Sequence, residues 1–237
     1  MSHQLLDAAA RLRDACQALA FAPPVDCVYN PLQYAWDNHA AYIQRYGSAP
    51  KRVLFLGMNP GPFGMVQTGI PFGEVPAVRD WLALHEAVGQ PDRCHRKRPV
   101  QGLDCHRSEV SGRRLWGLFA ERFGTPAAFF REHFVVNYCP LAFAEDSGRN
   151  RTPDKLPAAE RDALYAHCDE HLRRCCAILR PTVLVGIGHF ARQRAELALG
   201  DQAPSLATVL HPSPANPKAN AGWAEAAVAQ LREQGIW

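Results

Sequence analysis

The chain has 237 residues, 47% of them hydrophobic and 21% charged, with a formal net charge of +3. That length and composition suit a single globular domain over residues 1–237 with one buried core, and they exclude a disordered or low-complexity chain. The small basic excess admits an anionic partner without demanding one, and no apolar run approaches the roughly 20 residues that span a bilayer.

The first twenty residues alternate Leu, Ala, Asp and Arg at helical spacing, which predicts an amphipathic docking helix rather than a secretory leader. The eight cysteines are accordingly read as reduced thiols of a cytoplasmic protein. Arg52–Leu56 is a short β-favouring run that stops at Gly57. The segment Gly57–Gly73, G-M-N-P-G-P-F-G-M-V-Q-T-G-I-P-F-G, holds five glycines and three prolines in seventeen residues, so it predicts a long rigid loop. Val75–Glu86 has helical periodicity, residues 87–110 read as a polar, basic excursion, and Ser111 is a plausible N-cap for a helix through Phe119.

His133–Tyr138 is the second strand, followed by a turn at Ser147–Asn150. Pro157 suits the first position of a long helix whose inward face is Leu164, Cys168, Leu172, Cys175 and Leu179. Thr182–Gly186 is a third strand, His189–Leu199 a helix, and Leu206–Leu210 a fourth strand that ends at His211-Pro-Ser-Pro-Ala-Asn-Pro-Lys218. A last helix runs from Gly222 to Glu233. Four apolar strands separated by helices predict an α/β fold, a three-layer α/β/α sandwich around a four-stranded parallel sheet.

In such sheets ligands bind beyond the carboxyl ends of the strands. Three strand ends deliver Asn59, Asn137 and His211 to that edge. Taken singly, each has an ordinary reading as a turn asparagine or a packed histidine; together they point to a site. The sequence has no carboxylate pair, no G-x-S-x-G elbow and no Gly-rich phosphate cradle. Cys94-His95 and Cys105-His106 match no common zinc spacing, so neither a metal nor any other cofactor is expected. Basic residues gather at Arg93–Arg98, at Arg107, Arg113 and Arg114, and at Arg149 and Arg151, each group in or beside a predicted loop.

The run Gly57–Gly73, with Asn137-Tyr138-Cys139-Pro140 and His211-Pro212-Ser213-Pro214, resembles the single-strand-selective monofunctional branch of the uracil-DNA glycosylase superfamily. Lys97-Arg98-Pro99, Ser108-Glu109-Val110-Ser111-Gly112 and Ser147-Gly148-Arg149-Asn150 fit as well, and the likeness covers roughly residues 25–235. The resemblance implies hydrolysis of the bond joining uracil, or a 5-substituted uracil, to deoxyribose in DNA. Asn59 would orient the attacking water, and His211 would donate to uracil O2. Asn137 would read the base edge and Phe72 would stack on the base. Gly61 would face C5 and leave space for a substituent, with Met58 and Met65 completing the pocket.

The resemblance also makes residues 212–220 the wedge that enters the duplex, with Pro212, Ser213, Pro214, Ala215, Asn216, Lys218 and Asn220 against DNA. Ser213, Lys218 and Asn220 would be its phosphate contacts. Ala215 stands where better-known members carry an arginine. No lysine lies in the three strand-end motifs to form a Schiff base, so a monofunctional enzyme is expected; the resemblance further implies a monomer acting on single- and double-stranded DNA. It would be cytoplasmic, working at the nucleoid or in the nucleus. The competing readings are a relative specialised for mismatched uracil or for xanthine and hypoxanthine, and a non-catalytic nucleic-acid-binding α/β module.

Overall fold

The computed structural model describes residues 1–237. In chain order, α1 (Ser2–Gln17) leads to β1 (Val25–Tyr29), α2 (Pro31–Tyr34), α3 (Trp36–Tyr46), β2 (Val53–Gly57) and α4 (Met65–Thr68). Next come α5 (Val110–Phe123), α6 (Pro126–Phe130), β3 (His133–Asn137), β4 (Ala142–Glu145) and β5 (Asn150–Arg151). The chain ends with α7 (Ala158–Leu179), β6 (Val183–Ile187), α8 (His189–Leu199), β7 (Ser205–Val209), α9 (Pro217–Asn220) and α10 (Trp223–Glu233).

β3-β2-β6-β7 form the parallel sheet, as the four apolar runs imply. Every residue of β2 and β3 is buried, because helices cover both faces and leave no side of those strands to water. α8 packs on β6 and β7 with α7 and α1 beyond it, while α5, α6 and α10 cover the other face. One cluster of 52 buried residues fills the layers. The amphipathic first helix docks through Leu5, Ala8, Ala9, Leu12 and Cys16. Leu164, Cys168, Leu172, Cys175 and Leu179 of α7 are all buried, and all eight cysteines are free.

Several local expectations are corrected. The helix expected over Val75–Glu86 shrinks to a π-helical turn at Ala77–Trp81, closed by the Leu82 N–H on the Ala77 carbonyl. Ala83 then takes a left-handed backbone with φ of 50°, a conformation that cannot propagate a right-handed helix. Glu109, not Ser111, occupies the cap position of α5. Pro157 precedes α7 as its cap with extended ψ of 145°, instead of opening it.

The basic segment 87–110 is no excursion. It packs against a second, antiparallel sheet, β1-β4-β5, which the sequence reading missed. Its anchor is Tyr29, which donates to the Arg98 carbonyl at 2.6 Å and accepts from the His95 N–H at 2.9 Å. These strands of five, four and two residues are too short for alternation to announce them.

At the end of β3, Tyr138 donates to Asp169 at 2.6 Å, and Arg194 grips the same carboxylate with two 2.8 Å bonds. This ion pair, with one guanidinium nitrogen shared between both carboxylate oxygens, ties the functional edge to α7 and α8.

Three histidines are held neutral, His39 and His133 buried and His171 half-buried. His39, His133 and His171 each direct Nδ1 at a backbone carbonyl, those of Gly69, Phe129 and Ala8. Burial lowers each to about 4. Because the folded value lies below the unfolded one, the unfolded state binds more protons as pH falls from 6.5 towards 4, and stability is lost over that window. Each ring accounts for up to ~1.4 kcal/mol per pH unit. The urea midpoint should therefore be lower at pH 5 than at pH 7, and equal midpoints would contradict this account.

Candidate active site

The register of the parallel sheet assembles the site. Gly57 pairs with Asn137, and the ladder continues past the strand ends, with the Tyr138 N–H on the Gly57 carbonyl and the Cys139 N–H on the Met58 carbonyl, both at 2.9 Å. Asn59 consequently lies beside the 139–141 segment. On the opposite side of β2, β6 and β7 bring in His211, which Gly188 admits: its φ is 89°, and a Cβ there would stand 3.1 Å from the His211 Cβ. The chain leaves β2 towards β3 on one side and leaves β6 towards β7 on the other, so the switch point of the sheet lies between the neighbouring strands β2 and β6.

A cleft of about 360 Å³ opens at this edge, lined by Met58, Asn59, Gly61, Met65, Phe72 and His211 together with Glu109, Asn150, Thr152 and Ser213. Asn59 donates its amide to the Leu141 carbonyl at 3.2 Å. A carbonyl only accepts, so the amide orientation is set and Oδ1 is left as an acceptor. His211 Nδ1 accepts the Ser213 N–H at 3.1 Å. The ring proton is thereby assigned to Nε2, and burial holds the imidazole neutral, with its pKa lowered to about 4. The cleft thus pairs a fixed acceptor on Asn59 with a neutral N–H donor on His211.

Phe72 lies 6.0 Å from the His211 ring, centroid to centroid. Its φ of 54° is rare for a bulky residue and persists only when the surroundings impose it. Here Trp116 donates to the Pro71 carbonyl at 3.2 Å and Thr68 to that of Gly73 at 3.0 Å. Gly112 of α5 packs so tightly against the loop that a Cβ would stand 2.1 Å from the Phe72 carbonyl oxygen.

Asn137 is 7% exposed and lies behind the cleft wall, against an internal cavity of about 30 Å³. Its Nδ2 donates to the Met65 sulfur at 3.3 Å. Its Oδ1 has no partner and reaches within 2.3 Å of the point a Gly57 Cβ would occupy, beside the edge of the Phe72 ring. A buried acceptor without a donor is costly unless a ligand supplies one.

One expectation is corrected. The space in front of Gly61 is not empty: both oxygens of the Glu109 carboxylate lie within 2.6 to 2.7 Å of a Cβ placed there. Asn220 is engaged at both ends of its amide, its Oδ1 accepting from Arg114 and its Nδ2 donating one hydrogen to the Pro214 carbonyl, both at 2.9 Å. Arg114 also donates to the Pro212 carbonyl at 2.9 Å, so the pair braces the loop after His211 from below. Ser213 Oγ accepts the Ala215 N–H, and Asn216 caps α9 through the Lys218 N–H. Pro214, Ala215 and Lys218 are exposed.

Glu109, Asn150 and Thr152 were missed as lining residues. Glu109 and Asn150 sit in motifs noted for their resemblance, but only the fold shows what those motifs touch. Lys97 and Arg98 donate to the carbonyls of Ser147 and Gly148 at 3.2 and 2.7 Å, so the two basic motifs fold onto each other and carry Asn150 to the cleft.

A model of the uracil DNA glycosylase superfamily matches residues 44–232. The single-strand selective monofunctional uracil DNA glycosylase of Bos taurus is 51% identical over 228 residues, 95% of this chain and 84% of that protein. Its counterpart from Rattus norvegicus is 49% identical over 238 residues, covering 100% and 86%. The crystal structure of Pedobacter heparinus SMUG2 superposes with a TM-score of 0.68 at 17% identity, over 97% of this chain and 99% of that one, which is a likeness of fold. With the family matched across most of its length, this chain belongs to the uracil-DNA glycosylase superfamily.

Proposed function

We propose that the protein is a monofunctional DNA glycosylase that hydrolyses the N-glycosidic bond of uracil and of 5-substituted uracils such as 5-hydroxymethyluracil. The observation that carries this reading is the matched pair in one cleft, a locked Asn59 acceptor and a neutral His211 donor. Breaking the C1′–N1 bond sends its electron pair to the pyrimidine and leaves positive charge on the sugar. Water held by Asn59 Oδ1 adds to C1′, and the proton it loses is balanced by protonation of the released base anion. His211 Nε2–H stabilises the charge gathering at O2. A neutral imidazole is the suitable donor, since it offers its proton without a counter-charge to desolvate.

Asn137 supplies the reading of the base. Its unpartnered Oδ1 would accept from uracil N3–H, and Nδ2 would donate to O4; cytosine reverses this pattern. Phe72 offers a stacking face worth roughly 1–3 kcal/mol, and Met58, Gly61 and Met65 enclose the rest. The known relatives are named as uracil-DNA glycosylases, in keeping with this assignment.

Cations outside any ion pair support DNA as the partner. Lys97, Arg98, Arg107, Arg113, Arg149 and Lys218 form no ion pair, whereas Arg93 and Arg151 are matched with Asp26 and Glu145. Arg107 and Arg98 sit over the Phe63 ring at 4.0 and 5.3 Å, next to cleft-lining Pro62. Unpaired cations are what phosphate attraction requires. Pro212, Ser213, Pro214, Ala215, Asn216 and Lys218 form the wedge loop, with Asn220 as its brace.

Three outcomes are expected. Alkali-revealed uracil release falls about 10²–10³-fold in His211→Ala, and Asn59→Ala loses activity on a similar scale; wild-type rates in both would end the assignment. Nitrogen NMR finds His211 as the neutral Nε2–H tautomer from pH 8 to pH 5, with charging only near pH 4, and an imidazolium at pH 7 would contradict the mechanism. Ala215→Arg raises release from duplex relative to single-stranded oligonucleotides, because a longer, charged plug fills the gap left by the extruded base. An unmoved ratio removes Ala215 from the wedge. A panel including xanthine and hypoxanthine separates the purine-specialised alternative.

A further inference from the structure

The polar group over Gly61 has no role in the chemistry described above. Glu109 is the one carboxyl among the residues lining the cleft. Its oxygens cover Gly61, and its Cγ lies 2.9 Å from the point a Cβ on Gly64 would occupy. It has no cation partner, and although it stands at the cap position of α5 its side chain does not cap that helix. The Phe63 N–H is directed at it, and Glu74 is its neighbouring like charge. Burial first, and then Glu74, raise its pKa, which favours the form that donates as well as accepts.

A chain of contacts runs from Asn137, behind the cleft, through cleft-lining Met65 to this carboxyl. Asn137 Nδ2 reaches the Met65 sulfur, the Val66 N–H donates to the Gly61 carbonyl at 3.2 Å, and Glu109 covers Gly61. Around a pyrimidine ring the order is O2, N3, O4, C5. A base with O2 at His211 and its N3–O4 edge at Asn137 therefore turns C5 towards the next stretch of wall, Met65, Gly61 and Glu109. We propose that Glu109 reads the 5-substituent of the bound pyrimidine, hydrogen-bonding a hydroxymethyl group and disfavouring a methyl group at the same position. This rests on the glycosylase reading of the site. It would also make a glycine at position 61 compatible with rejection of thymine: a methyl pressed against a half-buried carboxyl strips its solvation and offers no bond in return, while a hydroxyl restores one.

The test compares kcat/KM of the full chain on single-stranded oligonucleotides carrying uracil, 5-hydroxymethyluracil or thymine, for the parent, Glu109→Gln, Glu109→Ala and Glu109→Met. The parent should favour 5-hydroxymethyluracil over thymine. That ratio should narrow on the order of tenfold in both apolar variants, one of which keeps the bulk should the other fail to fold. Glu109→Gln should hold the ratio within about threefold, since an amide also donates and accepts. An unchanged ratio in the apolar variants, or an equal loss on all three bases as expected of a mere brace for the glycine loop, overturns the proposal. A parent that releases none of the bases overturns the glycosylase reading and this inference with it, whereas uracil release with an unmoved ratio overturns the role of Glu109 alone.

Discussion

The site depends on one close approach, that of Asn137 to the backbone at Gly57. The Asn137 Oδ1 and the edge of the Phe72 ring come within 2.3 and 2.5 Å of where a Cβ of residue 57 would sit. Any side chain there would push the Asn137 amide away from the Phe72 ring. Glycine at the last residue of β2 is thus a steric requirement, and the in-register pairing of β2 with β3 makes the approach occur at this level of the sheet. A slip of one residue would turn Asn137 to the other face of the strand.

Around that approach, the side chains with chemistry to perform are held by backbone groups. The Leu141 carbonyl fixes the Asn59 amide, and the Ser213 N–H fixes the His211 tautomer. The strained Phe72 backbone is enclosed by Trp116, Thr68 and Gly112. Groups positioned before substrate arrives need little rearrangement as charge develops, the condition under which hydrogen-bond donors aid a dissociative reaction most. The loop after His211 is braced as well, by Arg114 and Asn220 from beneath. Its tip remains exposed, the arrangement a wedge needs, with a firm base and a free end.

Much of this was legible in the sequence. The four apolar runs became the four parallel strands with ends shifted by a residue, because short length, β-branched content and flanking turn residues together separate a buried parallel strand from a buried helix segment. Asn59, Met58, Gly61, Met65, Phe72 and His211 were singled out and share one cleft. Less legible were features that local pattern cannot encode. The β1-β4-β5 sheet joins strands too short for alternation to register, and residues 87–110 looked like an excursion because their anchors, Tyr29 and Gln67, lie more than 30 residues away. The helix expected after Val75 failed at Ala83, where Arg45, from a distant helix, donates to the Leu82 carbonyl.

What the sequence determined by itself was the class of fold and the chemical cast: periodicity set the layers, and glycine, proline and amide placement marked the strand ends where ligands bind. Only the tertiary structure decided protonation, orientation and occupancy. That His211 donates from Nε2, that Asn59 presents its oxygen, that Asn220 and Arg114 brace the loop after His211 and that Glu109 fills the room beside Gly61 each follow from contacts the fold makes. The physical reason is that a hydrogen bond or a filled volume is a property of a pair in space. Sequence fixes each member's capacity to donate, accept or occupy, and folding selects which capacity is used.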